Sequence, residues 1–172
     1  MSRGRVCRIE QGRVRTLNLP ELARLAAAVG LKPYVKLFPL GGRLLDAPQL
    51  ALLSRLRRRL HPSWSWATEV PIPIAGDLRS ADCVIANPEC RVLIEAYTRF
   101  ADFQAQTARA AQKKRDLGAD RLVLLLGATR ANRSAAGEAR AVAGGSFPIG
   151  TRRTLSALAD GRDPGADAIV FL

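Results

Sequence analysis

Residues 81–97 read ADCVIANPECRVLIEAY, two apolar runs (81–86 and 91–97) on either side of Asn87-Pro88-Glu89. Short runs rich in Val and Ile, broken by Asn and Pro, predict two antiparallel strands joined by a turn. A turn centred between Pro88 and Glu89 fixes the register, and in that register Asp82 stands directly opposite Glu95. Their Cβ atoms would then lie about 5 Å apart. Facing like charges destabilise a sheet unless a cation neutralises them. Two solutions fit the sequence: a hard divalent metal such as Mg²⁺ held by the two carboxylates, or an ordinary ion network closed by Arg79, Arg91 or Arg99.

Outward from this hairpin, TEVPIPI (68–74) supplies a first strand before Gly76-Asp77, completing a three-strand meander. An amphipathic helix is expected from Phe100 to about Asp116, with Phe103, Thr107 and Ala110 on one face and Gln106, Arg109 and Lys113 on another. RLVLLL (121–126) is wholly apolar, as in a buried parallel strand reached by a helical crossover. Upstream, Ala47–Leu60 predicts a helix whose apolar face is Leu50, Leu53, Leu56 and Leu60. Downstream lie two weaker helices, about 131–142 and 150–159, and a terminal strand, 168–172. The predicted fold class is therefore α/β (α+β): helix, three-strand meander, crossover helix, parallel strand, preceded by a short helical segment. Its divisions are residues 1–38, a linker at 39–46 around Gly41-Gly42, and residues 47–172.

The chain of 172 residues carries 27 basic and 15 acidic side chains, a formal charge of +12. Most of that excess falls in the first third, where Arg3, Arg5, Arg8, Arg13, Arg15 and Arg55 to Arg59 crowd. Such asymmetry points to a polyanion, nucleic acid above all. Abundant Arg with abundant Ala is also what a GC-rich genome writes, but that bias does not explain the uneven placement. Three cysteines without a Cys-x-x-Cys pair and a lone His61 exclude a zinc framework of Cys and His ligands and all but His61-based triads. No apolar run has the length of a membrane span, and the N-terminus lacks the apolar core of a secretory signal, so a cytoplasmic protein is expected. Trp64 and Trp66 stand two apart, either to cap the first strand or to stack on bases. Thr129 to Arg133 follow the apolar strand, either as a helix cap or as an anion contact.

The order of elements over residues 47–126, with Asp82 and Glu95, resembles the restriction-endonuclease-like, or PD-(D/E)xK, fold. That resemblance implies that Asp82 and Glu95 bind Mg²⁺. The Lys that the family places two residues after the second acid is here Tyr97, a phenol that is neutral near pH 7 and supplies no cation. Some members of the fold carry the Lys on the following helix, which points to Lys113 or to Arg109.

A second resemblance lies at the basic start. Val6-Cys7-Arg8-Ile9-Glu10-Gln11-Gly12, followed by Leu19, Leu22, Leu25, Ala26, Val29 and Gly30, resembles the second half of an XRE-type helix-turn-helix domain, over about residues 2–31. It implies a recognition helix whose Ser2, Arg3 and Arg5 touch base edges of double-stranded DNA, with Arg8, Arg13 and Arg15 near phosphates. The first two helices of such a domain are missing from the sequence, so the expectation is a truncated or decayed regulator. Together the resemblances imply a DNA-binding transcriptional regulator, dimeric if its operators are palindromic, fused to a nuclease-like domain that has lost cleavage. The alternative is a Mg²⁺-dependent endonuclease with Asp82, Glu95 and Lys113 as its catalytic residues.

Overall fold

The computed structural model describes residues 2–14, 16–33, 45–142 and 145–172. Its chain divides into two units, residues 1–37 and 38–172. The expected linker at 39–46 falls almost entirely outside the described residues.

The first unit contains α1 (Arg3–Glu10) and α2 (Leu19–Ala28), and neither helix buries a side chain. Local bonds hold them instead. Ser2 caps α1, and Asn18 with Glu21 forms a reciprocal capping box at α2. The Arg5 guanidinium meets the Glu21 carboxylate at 3.0 Å.

The second unit runs α3 (Ala47–Arg57), β1 (Ser65–Pro71), β2 (Ser80–Ala86), β3 (Arg91–Tyr97), α4 (Phe103–Asp116), β4 (Arg121–Leu126), α5 (Arg130–Val142), α6 (Thr151–Ala159) and β5 (Ala168–Phe171). The strands form one mixed sheet in the order β1-β2-β3-β4-β5. The meander β1-β2-β3 is antiparallel, whereas β4 and β5 join parallel to β3. The α/β class read from the sequence is thus the class observed. None of the helices described is long and apolar enough to cross a membrane.

Two apolar layers enclose the sheet. On one face Leu52, Leu53 and Leu56 of α3 and Leu158 of α6 pack on Ile85, Ile94, Val123 and Leu125. On the other, Ala110 and Leu117 of the α4 region and Ala136 of α5 pack on Val84, Leu93, Leu122 and Leu124. Strand β4 is buried on both faces, which is why its sequence shows no alternation.

Two expectations are corrected. β1 is shifted upstream of 68–74: Ile72 N closes the β1–β2 ladder on the Arg79 carbonyl at 3.0 Å, and the chain then turns, with Ile74 N on the Ile72 carbonyl at 2.8 Å. The inward face of α3 is Gln49, Leu52, Leu53 and Leu56, while Leu50 is exposed. Gln49 can be buried because both ends of its amide are bonded: Oε1 accepts from Asp46 N at 3.1 Å and Nε2 donates to the Ala96 carbonyl at 2.8 Å.

Beyond the carboxyl ends of the parallel strands, the Asn132 side chain ties two loops together. Its Oδ1 accepts from Phe100 N at 2.9 Å, and its Nδ2 donates to the carbonyls of Thr98 at 3.0 Å and Gly127 at 2.8 Å. Replacing Asn132 by Ala leaves the Phe100 N–H and the Thr98 carbonyl without partners, and the Gly127 carbonyl with only Thr129 N, so we expect Asn132→Ala to lose about 3 kcal/mol in urea denaturation. A loss under about 1 kcal/mol would mean that the loops hold without it.

Candidate active site

The β2–β3 register runs from Ala86–Arg91 to Cys83–Ile94, and the turn at Asn87 to Cys90 sets it as the sequence implies. The next pair is Asp82 and Glu95. Here the backbone ladder gives way to side chains: Asp82 N donates to Glu95 Oε1 at 3.2 Å, and Ala96 N donates to Asp82 Oδ2 at 2.9 Å. Past this point β2 stays with β1, through Ala81–Val70, while β3 stays with β4, through Glu95–Leu124 to Tyr97–Leu126. The sheet forks, and the two acids sit in the fork.

Both acids are buried, Asp82 at 9% exposure and Glu95 at 3%. Their neutralising cation comes from α4. Lys113 Nζ lies 2.7 Å from Glu95 Oε2. Of the arginines weighed for this task, Arg79 instead bridges Asp77 and Asp116, and neither Arg91 nor Arg99 forms an ion pair among the described residues. Desolvation raises the Glu95 carboxyl to about 7, the Asp82 charge adds to the rise, and Lys113 opposes it. A carboxyl so perturbed, beside a second acid and an ammonium, makes the fork the candidate site of this fold.

Tyr97 is half-buried in an aromatic cluster, its ring 5.8 Å from that of Phe100, and its hydroxyl donates to the Gln106 carbonyl at 3.4 Å. It contributes packing where the family pattern has Lys. Arg109 is exposed one turn before Lys113. On α4, Gln106 Oε1 and Thr107 Oγ1 are buried without a hydrogen-bond partner, which helical spacing alone does not reveal.

Glu69 was also missed. It stands between Thr68–Cys83 and Val70–Ala81, hence beside Asp82, where a third carboxylate in line would compound the repulsion. Its φ of 52° takes it out of strand geometry, and its carboxylate accepts from Leu45 N at 2.9 Å.

Among the described residues no group of three or more His, Cys, Asp or Glu side chains is arranged for a metal ion. The donor set at the fork is two carboxylates. That set fits Mg²⁺, which is commonly held by one or two carboxylates with water and substrate phosphate completing its shell.

The residues expected to contact DNA lie in the first unit. Ser2 and Arg5 are engaged locally, Ser2 as the α1 cap and Arg5 with Glu21. Arg3, Arg8 and Arg13 are exposed, and Arg15 lies outside the described residues. Trp64 is core: its Nε1 donates to the Leu158 carbonyl at 2.9 Å. Trp66 carries the Arg57 guanidinium 5.5 Å from its ring centre, in a groove of about 280 Å³ on the α3 side of the sheet, away from the acids.

No family model matches the chain, and no curated protein or solved structure matches it either.

Because the folded chain holds the Glu95 proton more tightly than the unfolded chain does, this group favours folding fully below its ordinary value of 4.5, and the benefit is lost as pH rises through about 7. In EDTA, Tm should therefore fall across that window in the wild type, and Glu95→Gln should flatten the fall. Parallel profiles for the two proteins would place the titration elsewhere.

Proposed function

We propose that residues 38–172 form a Mg²⁺-dependent nuclease domain acting on double-stranded DNA. One observation carries the reading: Lys113 from the crossover helix reaches Glu95 at 2.7 Å, beside Asp82, and so restores two acids and one ammonium that the strand sequence leaves incomplete at Tyr97.

Asp82 and Glu95 would hold the Mg²⁺, which when bound supplies positive charge against the developing charge of a phosphodiester. Lys113 Nζ stands at the edge of the cluster, its side chain 14% exposed where the Glu95 side chain is 4%. A phosphate approaches from the Lys113 and Asp82 side, where the ammonium offsets negative charge and orients a water molecule. One N–H bond from the opposite strand to each carboxylate holds the acids against their own repulsion, so the site is formed before substrate arrives.

A second reading has its own support. The exposed Arg3, Arg8 and Arg13 of the first unit suit phosphate contact by a helix-turn-helix regulator that binds DNA without cutting it.

With purified protein and a labelled duplex, we expect Mg²⁺-stimulated cleavage that falls about 100-fold or more in Asp82→Asn, Glu95→Gln and Lys113→Ala. Salt-sensitive binding with no cleavage in Mg²⁺ or Mn²⁺ would leave the regulator. No affinity for DNA at low salt would sink both readings.

A further inference from the structure

Lys114 pairs with Asp167 and Arg121 with Asp163 near the amino ends of β4 and β5, and Arg79, in the turn before β2, pairs with Asp77 and Asp116. The carboxyl ends of the parallel strands carry a group of arginines without such partners. Tyr97, Leu126 and Phe171 stand side by side in register as the last residues of β3, β4 and β5. Just beyond them come Arg99, Arg130 and Arg133, all exposed and none in an ion pair among the described residues. Nearby carboxylates are otherwise engaged: Asp102 caps α4 through Ala105 N at 3.0 Å, and Glu138 accepts from Ser134 at 3.4 Å.

These arginines are also held in place from beneath. The residues on either side of Arg99 bond the buried Asn132 side chain, Thr98 through its carbonyl and Phe100 through its N–H. Arg130 and Arg133 flank Asn132 on the first turn of α5, and the Arg133 guanidinium rests 5.0 Å from the Phe171 ring centre. Codon bias explains arginines in number. It does not explain three of them placed around one satisfied buried amide.

We infer that Arg99, Arg130 and Arg133 form a phosphate-binding surface that seats the backbone of duplex DNA for the fork at Asp82 and Glu95. The inference rests on the nuclease reading for its substrate and adds the side from which that substrate is gripped. Reach permits it. Arg99 is four residues past Glu95, at most about 14 Å of extended chain, so both fall within the footprint of one short stretch of duplex backbone. Open α/β sheets bind ligands at the carboxyl ends of their strands, and the fork opens toward that end.

The test pairs two charge-matched variants of the full chain. Arg99→Ala/Arg130→Ala removes two cations from the proposed surface, and Arg91→Ala/Arg115→Ala removes two exposed ones from the start of β3 and the last turn of α4. Binding of a fluorescein-labelled duplex is followed by anisotropy in EDTA across a salt series, and cleavage is followed in Mg²⁺. The first variant should raise Kd about 10-fold at low salt, flatten the slope of log K against log salt by about 2, and raise KM with kcat little changed. The second should do none of these. Equal effects of the two variants, or unchanged binding in the first, overturn the surface even if Mg²⁺-dependent cleavage is intact. Weakened binding confined to the first variant, in a protein that never cleaves, keeps the surface and sinks the nuclease. A wild type that binds no duplex at low salt overturns both.

Discussion

Two carboxylates placed side by side inside a sheet create a demand that the surrounding structure has to meet. At Asp82 and Glu95 the demand is met in three ways. Each oxygen pair takes an N–H from the opposite strand, the strands part so that the acids need not share a ladder rung, and α4 brings an ammonium to 2.7 Å. The last of these constrains the crossover. For Lys113 to reach Glu95, α4 must lie along this face in one rotation, with Ala110 one turn before and Leu117 one turn after facing the sheet. Packing and charge thus agree on the same helix face, and a shift by one residue would spoil both.

The fork was legible in the sequence because turn chemistry is local. Asn87 and Pro88 fix where the chain reverses, and once that is known the side-chain period of two dictates which residues meet. The strand β4 was legible for a similar reason, since an unbroken apolar run has nowhere to go but between two layers. Other features depend on partners far away in sequence. Gln49 looks like a surface residue until the Ala96 carbonyl is placed beside it, and Leu50, one position on, then falls outside. Asn132 is an ordinary helix-start residue until two loops converge on it. The cation at Glu95 was named only as one candidate among several, because helical spacing alone does not say how far a crossover helix slides along its sheet.

The first unit is organised on a different principle. Helices of eight and ten residues are marginal by propensity alone, and neither α1 nor α2 has an interior to lean on. Glu21 is central to their order: it completes the α2 capping box and pairs with Arg5 of α1, and the bonds from Arg5 hold its carboxyl below the usual range. Leu19, Leu22, Val29 and Leu31 remain exposed. Here charge and capping supply order that burial supplies in the second unit, which makes the first unit the more salt-sensitive of the two.

Glu69 has a meaning beyond the acid row it avoids. β1 is the outer strand of the sheet, and an outer strand with regular geometry offers free N–H and C=O groups to any passing chain. At Glu69 the backbone turns into the left-handed region, two residues before Pro71, so the outward ladder is interrupted in its middle and closed at its end. The kink that removes a third charge from the fork also spoils the template along which copies of this protein would stack into fibres.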